Sequence, residues 1–222
     1  MEIRSDNKIN FGWTCKTHKK ITQYALQEFP LLKQYRKTFK EFVQKPDYDE
    51  LGFFGNWHFY STQNKKSFMD FNGKNNAFAR YELHIAGIYA AIKDHNRDLL
   101  FEHAGRALHF LQDMTQPQHV QKGVFFNKVM DCSVHVKFEK FVKKRQEKFF
   151  KKYMQKIKMP VAIRDFETLF LSNVKFSSES KLPIEKNKYE WNKIGKKGFN
   201  KAVDSTREFM AKLTELIQTP SS

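Results

Sequence analysis

Five side chains of the types that bind zinc occur within 31 residues of this sequence. They are His109, Asp113, His119, His135 and Glu139. The first two are four residues apart, as are the last two, so each pair shares one face of an α-helix and can converge on one ion. Pro117 is expected to end the first helix, which lets His119 turn toward the same site from a loop. Imidazole and carboxylate ligands without a thiolate favour a solvent-accessible catalytic zinc over a closed structural one.

A single histidine–aspartate pair on a helix is more often an ordinary hydrogen-bonded pair or part of a solvated face. Two such pairs around a third histidine, with more histidine and aspartate upstream, favour metal binding. Three other histidines lie on helical stretches without matching carboxylates, and we interpret them as ordinary surface or core residues: His84, His95 and His103.

The elements that must position these side chains are predicted to be helices. Apolar residues recur at helical spacing over residues 17–29, 31–43, 77–95, 99–114, 135–157 and 188–217. Residues 46–76, rich in Gly, Asn, Asp and aromatic residues, predict a long irregular loop, and residues 160–187 predict a loop with one short helix. Because alternating apolar patterns are scarce, we expect an all-α, compact single domain.

Charge and composition narrow the class of partner. The chain of 222 residues carries a net charge of +16, and residues 140–158 hold nine Lys or Arg against one acid, Glu147. An anionic partner follows from this excess: lipid headgroups, nucleic acid or cell-surface polymers. The other interpretation is a solvated helix face. Cys15 and Cys132 allow one disulfide but do not establish the compartment.

The complete ligand string resembles the bacterial zinc-dependent phospholipases C, the group that contains the phosphatidylcholine-hydrolysing enzymes and the clostridial alpha-toxins. The resemblance covers residues 13–150 and rests on the order and spacing of six segments. These are Trp13 with His18, Pro46-Asp47-Tyr48-Asp49, Asn56-Trp57-His58-Phe59, Phe78-Ala79-Arg80-Tyr81-Glu82, His109-Phe-Leu-Gln-Asp113-Met-Thr-Gln-Pro117-Gln-His119, and His135-Val-Lys-Phe-Glu139. The fungal and plant single-strand nucleases share this zinc scaffold but typically carry Asp where Glu139 stands.

The resemblance implies a multi-helix domain around a multinuclear centre of two to three zinc ions. One ion would be held by Asp47, His58, His109 and Asp113. A second would be held by His119, His135 and Glu139. A third would be held by His18, a second oxygen of Asp113, and the amine and carbonyl of Trp13.

Such a centre suits phosphodiester hydrolysis, because zinc lowers the pKa of bound water to about 7 and neutralises charge on the phosphate. Asp47 is the candidate general base or water-orienting residue, and a pure ligand role for it is equally open. The aromatic rings near the ligands can hold a choline group by cation–π attraction or can stack on a nucleobase, although each alone is expected in the core. The rings are Tyr48, Phe53, Phe54, Trp57 and Phe59, of which Tyr48, Phe54 and Phe59 are the candidate substrate contacts.

At its amino end the chain departs from the family pattern, in which the ligand tryptophan is the first residue of the mature protein. Twelve residues precede Trp13, and an amide nitrogen inside a chain binds zinc poorly. Either residues 1–12 are an extension that is removed, leaving a catalytic domain over residues 13–222, or the third zinc is weak or held differently. The five-residue step from Trp13 to His18 resembles the nuclease branch.

Three functions are compatible with these patterns. The first is a secreted phospholipase C, a virulence-type lipid-degrading enzyme that acts as a monomer, transiently, at a phospholipid membrane surface on phosphodiester headgroups. The second is a zinc nuclease for single-stranded nucleic acid, which the positive charge favours. The third is a catalytically weak zinc protein that binds anionic membranes through its basic helix. The apolar core of a signal peptide is not visible at residues 1–13, so an extracellular location is an expectation from the resemblance alone.

Overall fold

The computed structural model describes residues 13–52, 57–62, 65, 70, 72–121, 132–154, 163–186 and 188–219. For residues 121, 132–136, 154 and 181–186 it describes the backbone only. Within these ranges almost every element is helical, which confirms the all-α prediction. None of the described helices is both long and apolar enough to cross a membrane.

Four helices form the amino-terminal part of the fold. They are α1 (Cys15–Ala25), which continues as a 3-10 turn over Leu26–Glu28, α2 (Pro30–Lys33), α3 (Arg36–Phe42) and α4 (Pro46–Asp49). The helix expected over residues 31–43 is therefore interrupted, since residues 34 and 35 form a turn between α2 and α3.

The prediction of an irregular loop over residues 46–76 is wrong at its start, where α4 forms. Pro46 stands in the first turn of α4, where its fixed φ is already helical. Asp47 and Asp49 follow it near the positive end of the helix dipole, where carboxylates are favourable. Asp47 thus projects from a helix and not from a loop.

Two long helices, α5 (Ala77–Lys93) and α6 (Arg97–Asp113), form the centre of the fold and pack against each other extensively. Each begins at an asparagine whose side-chain oxygen caps the helix: Asn76 accepts from the amides of residues 78 and 79, and Asn96 accepts from the amide of residue 99. The second half of α6 is buried on nearly all sides because α3, α5 and the carboxy-terminal helices surround it. The His109–Asp113 pair therefore lies in the protein interior.

A short parallel pairing brings two ligand segments together. After α6, Pro117–His119 form a 3-10 turn that leads into β2 (Val120–Gln121), and β2 pairs with β1 (Tyr60–Ser61) in parallel. With two residues per strand, this pairing does not alter the all-α class. The pairing does place Tyr60, two residues after His58, beside Val120, which directly follows His119.

Three helices complete the fold: α7 (Cys132–Met154), α8 (Phe166–Lys186) and α9 (Trp191–Gln218). The prediction of a loop with one short helix over residues 160–187 is wrong, because α8 has 21 residues. The loop was predicted because this segment contains Ser and Pro, although its buried apolar residues recur at helical spacing. Those residues are Phe166, Leu169, Phe170 and Val174, and they pack against α5 and α6 in the larger of two hydrophobic clusters.

Candidate metal centre

The Asp113 carboxylate lies at the centre of four buried histidines. Its Oδ1 is 3.3 Å from Nε2 of His18, and its Oδ2 is 2.9 Å from Nδ1 of His58. The same Oδ2 is 3.2 Å from Nε2 of His109 and 3.8 Å from Nδ1 of His119. All five side chains are inaccessible to solvent. The structure therefore brings together residues of α1, the segment before β1, α6 and the turn before β2.

Second hydrogen bonds orient three of these imidazoles. Each uses Nδ1 to donate to a carbonyl oxygen: His18 to the side chain of Gln112 (2.8 Å), His109 to the backbone of Val43 (2.8 Å) and His119 to the backbone of His58 (2.7 Å). A hydrogen-bonded Nδ1–H fixes the tautomer in which Nε2 carries a free lone pair. This is the arrangement that histidine ligands of metal ions have in proteins.

Several buried polar atoms in the centre make no hydrogen bond to the described part of the chain. They are Nε2 of His18, Oδ1 of Asp47, Nε2 of His58 and Oδ1 of Asp113. An unsatisfied buried carboxylate oxygen or imidazole nitrogen is costly, and a bound cation removes that cost. Ligand atoms of two groups lie within 4.8 Å of one another: His18, His109 and Asp113 in the first, and Asp47, His58 and His109 in the second. The residues present thus fit metal ions well.

Electrostatics supports the same conclusion. Burial disfavours the charge of Asp113, yet the nearby charges of His109 and His119 hold its pKa well below the usual range. Burial also opposes protonation of His18 and His58, but the close contact of each ring with the negatively charged Asp113 outweighs it and raises the pKa of both. The centre is therefore a buried anionic site that attracts positive charge.

The remaining predicted ligands are Glu139, His135 and Trp13. Glu139 is buried on α7, with 5% of its surface exposed. His135 lies in the first turn of the same helix, but its side chain is outside the described residues. Trp13 is buried, and its indole Nε1 donates to the backbone oxygen of Gln112 and to Oγ1 of Thr115, both at 3.1 Å. Trp13 is thereby held against the end of α6, next to Asp113.

Asp47 is held by a thiol that sequence reasoning did not connect with it. The Sγ of Cys15 donates to Oδ2 of Asp47 at 3.1 Å and lies 3.4 Å from the hydroxyl of Tyr48. Burial, followed by the negative charge of Asp47, raises the pKa of the Cys15 thiol to about 11. Cys15 is a free thiol in this structure, so it is available as a hydrogen-bond donor at neutral pH.

The candidate substrate contacts differ in exposure. Tyr48 is 50% exposed, and its hydrogen bond with Cys15 raises the pKa of its hydroxyl to about 12. Phe59 is buried and stacks on the imidazole of His119, with ring centres 4.9 Å apart. Phe54, like Phe53, lies outside the described residues. The guanidinium carbon of Arg80 lies over the indole of Trp57, 4.3 Å from the centre of the ring. Of the three candidate substrate contacts, Tyr48 is exposed, Phe59 is buried and Phe54 is not described, so contact with a substrate stays a prediction.

A buried ion cluster next to the centre was missed in the sequence. Glu50, which follows α4, accepts hydrogen bonds from Arg80 (2.6 Å) and Arg106 (2.6 Å), and its two oxygens are each 3.0 Å from Nε2 of His84. Arg106 also binds both oxygens of Asp49. The interpretation of His84 as an ordinary core residue agrees with its burial, but the structure adds a carboxylate partner, Glu50. Its partner is 34 residues away in sequence, so no local spacing could reveal it.

Two solved structures show what the fold of this chain is similar to. No family model and no curated protein matches the chain. The alpha toxin of Clostridium absonum superposes with a TM-score of 0.68 at 14% identity, covering 96% of this chain and 66% of that one. The alpha-toxin of an avian strain of Clostridium perfringens superposes with a TM-score of 0.63 at 17% identity, covering 94% and 64%. The chain spans slightly less than two-thirds of the length of either toxin. The predicted resemblance to these toxins is confirmed in the fold.

Proposed function

Because the chain has the fold of the clostridial alpha-toxins, we propose that it is a zinc-dependent phosphodiester hydrolase of the phospholipase C type. Its reaction would be cleavage of the glycerol–phosphate ester of phosphatidylcholine or a related phospholipid, which yields diacylglycerol and a phosphorylated headgroup. The observation that carries the proposal is the buried centre around Asp113, whose unsatisfied oxygen and nitrogen atoms fit metal ions.

Two to three zinc ions are proposed in this centre. The ligand sets are those implied by the family resemblance: Asp47, His58, His109 and Asp113; His119, His135 and Glu139; and His18, Asp113 and Trp13. Zinc is favoured over calcium or magnesium because histidine nitrogen dominates the donor set. When bound, zinc would supply an activated water and neutralise charge on the phosphate.

The residues of this chain would position and assist that chemistry. Asp47 has one oxygen held by the Cys15 thiol and one without a hydrogen bond among the described residues, and the latter can orient a water or accept its proton. A role as ligand alone is the other possibility for Asp47. Tyr48 stays protonated at neutral pH because its pKa is raised to about 12, so its exposed hydroxyl can donate to a phosphate oxygen.

The setting that we propose is extracellular, with a monomer acting at a phospholipid surface. The substrate class and the similarity to proteins named as toxins support this setting. Phospholipids are present as bilayers, so contact with the surface would be transient and repeated.

A single-strand nuclease is the second candidate function, and the net charge of +16 is the observation that favours it. One experiment separates the two: the same zinc-loaded protein is given phosphatidylcholine vesicles and single-stranded DNA side by side. We expect release of a phosphorylated headgroup and little or no DNA cleavage, both absent in His109→Ala. DNA cleavage without headgroup release would assign the protein to the nuclease branch.

A further inference from the structure

Every exposed position of α7 between residues 137 and 152 carries a charge. Eight positions are exposed, and seven of them are lysines, which we name the lysine face: Lys137, Lys140, Lys143, Lys144, Lys148, Lys151 and Lys152. The eighth is Glu147. At 100° per residue these positions form one continuous side of the helix. The lysine face is therefore a single surface and not scattered charge.

The one acid on this side of the helix does not cancel the lysines. Glu147 forms an ion pair with Lys20 of α1 and also accepts a hydrogen bond from the hydroxyl of Tyr24. Its negative charge is thus already matched by a lysine from another helix. Among the described residues, no carboxylate forms an ion pair with the seven lysines of the face.

Packing on the opposite side of α7 holds the lysine face rigidly. Phe138, Val142 and Phe149 are buried in the second hydrophobic cluster, against α9. Polar contacts add to this: Thr17 of α1 donates to Gln146 at 3.0 Å, and the hydroxyl of Tyr153 donates to Asp204 at 2.6 Å. Arg145, at the edge of the face, lies over the ring of Phe141. The lysines project from a fixed backbone.

The lysine face adjoins the candidate metal centre. Glu139, a candidate ligand, is followed directly by Lys140, and Lys143 is four residues after Glu139, one helical turn along the same helix. A surface that contacts this face is thereby placed beside the ligand-bearing end of α7.

We propose that the lysine face is the surface by which this protein docks on a bilayer rich in anionic phospholipids. The inference rests on the proposed function and adds the partner of that site: the membrane that presents the substrate carries negative headgroups. Lipids move laterally, so headgroups can gather under seven ammonium groups that are fixed on one helix. Each lysine near an anionic surface strengthens partitioning about fivefold.

The chemistry of the face favours a bilayer over nucleic acid. Proteins that bind single strands present aromatic rings on which bases stack, beside a basic groove. On this face all the exposed positions are charged, while the aromatic residues of α7 between 138 and 153 are buried or partly buried. Phosphate recognition in nucleic acids also relies on the bidentate fork of arginine, and the seven cations here are lysines. The face contains no exposed apolar residue, so binding is electrostatic and reversible by salt.

The test compares two variants with the same change in net charge. The face variant replaces Lys144, Lys148, Lys151 and Lys152 with glutamine. The control variant replaces Lys33, Lys37, Lys93 and Lys175 with glutamine, which are exposed lysines on four other helices. Circular dichroism and thermal unfolding check that both fold. Sedimentation with sucrose-loaded vesicles measures binding of the zinc-loaded proteins to phosphatidylcholine alone and to phosphatidylcholine mixed with phosphatidylglycerol.

The unchanged protein and the control are expected to bind the mixed vesicles at least about tenfold more strongly than phosphatidylcholine alone, and the face variant should lose that preference. Binding should fall steeply between about 0.1 M and about 1 M salt. Equal binding by the two variants would overturn the proposal. So would loss of single-stranded DNA binding in the face variant with vesicle binding intact, since the face would then serve nucleic acid.

A separate readout keeps this test independent of the proposed enzyme activity. Vesicle binding is measured without turnover, so the docking proposal can hold even if no phospholipid is cleaved. Hydrolysis of a water-soluble short-chain phosphatidylcholine is measured in parallel. It should be equal in both variants if the protein is a phospholipase C, because a dissolved substrate does not need the lysine face. A loss in the face variant alone would show that these lysines act on the substrate itself, which would overturn the docking role.

Discussion

Gln112 accepts a hydrogen bond at 2.8 Å from Nδ1 of His18, although the two residues are 94 positions apart in sequence. The carboxamide of Gln112 is itself fixed, because its Nε2 donates to the hydroxyls of Thr22 and Thr206. Gln112 precedes Asp113 in α6, so one short segment contributes both a candidate ligand and the group that orients another. Residues of this second kind are expected to tune metal affinity.

Gln112→Leu should weaken the ion bound at His18 and leave the other ions in place. Loss of a partner that orients a histidine ligand typically lowers metal affinity about 10- to 100-fold. Competition with a chelator, followed by metal analysis, measures the effect. The matched control is Asn173→Leu, which removes another buried carboxamide. Asn173 donates to the backbone oxygen of Leu111 and to Ser205, and neither partner is a histidine. If both variants hold zinc equally, Gln112 serves packing only.

Removal of zinc should lower the thermal stability of the protein markedly. The candidate ligands whose side chains the structure describes are buried and come from separate segments, so a bound ion stabilises only the folded state. At about 100 times the dissociation constant the gain is about 2.7 kcal/mol, which corresponds to roughly 5–10 °C in Tm for a chain of this size. Thermal unfolding with and without EDTA measures it. In His109→Ala the effect of EDTA should shrink strongly, and an unchanged effect would place the zinc elsewhere.

Gly105→Ala should disturb both the packing of α6 and the orientation of His109. A Cβ at position 105 would lie 2.7 Å from Cβ of Phe42 and 3.2 Å from its backbone carbon. The next residue, Val43, supplies the carbonyl that accepts from Nδ1 of His109, so a shift of this backbone reaches the candidate ligand. We expect a loss of about 1–3 kcal/mol in stability, together with weaker zinc binding.

Gly195→Ala is the control for that substitution. Gly195 lies on α9, and its Cβ would meet Cγ2 of Val142 of α7 at 2.9 Å, a contact that includes neither Val43 nor His109. Chemical denaturation and zinc titration of both variants distinguish the effects. The control should lose stability without losing the zinc that His109 binds, and equal binding of that ion by both variants would show that the α3–α6 contact does not orient His109.

Glu50→Gln should destabilise the protein at neutral pH and less so in acid. Burial alone would raise the pKa of Glu50, but the hydrogen bond and charge of His84, then those of Arg80, hold it well below its ordinary value of 4.5. The folded chain thus binds this proton less readily than the unfolded chain. The stabilisation from Glu50 is complete above about pH 4.5 and is lost as the pH falls toward the lowered pKa.

The measurement is urea unfolding of wild type and Glu50→Gln over a range of pH. Removal of one partner from a buried ion cluster should cost about 3–5 kcal/mol at neutral pH. The difference between the two proteins should narrow as the pH falls below about 4.5. A constant difference would mean that Glu50 is not ionised in the folded protein.

A form of the protein that starts at Trp13 should bind one more zinc than the form that starts at Met1, and it should be more active. A free amine at Trp13 can chelate through nitrogen and carbonyl, whereas the amide of an internal residue binds zinc poorly. The buried indole already holds Trp13 against Gln112 and Thr115, which flank Asp113 in sequence. Specific proteolysis that exposes Trp13, followed by zinc analysis and turnover, tests this. Equal zinc content and equal turnover would remove Trp13 from the ligand set.

Local patterns in the sequence predicted the features that depend on neighbouring residues. The i, i+4 spacing placed His109 and Asp113 on one helical face, and the structure brings them within 3.2 Å. Long apolar periodicities predicted α5, α6, α7 and α9, because burial of one helical face repeats every 3.6 residues regardless of what covers it. The resemblance of the whole ligand string to that of the zinc-dependent phospholipases C predicted the fold of the alpha-toxins, as the structural comparisons confirm.

Tertiary structure alone decided the contacts that join distant segments. The pairing of Glu50 with Arg80, Arg106 and His84 spans 30 to 56 residues, and no local spacing specifies such partners. The helix α8 was missed because its Ser and Pro residues lower helix propensity, whereas burial of its apolar side against α5 and α6 stabilises it in the folded protein. The sequence therefore supplied the chemical groups of the candidate centre and their local spacing. Their orientation was set by the partners that the fold brings to each imidazole, such as Gln112 for His18, because a hydrogen bond depends on distance in space and not on distance along the chain.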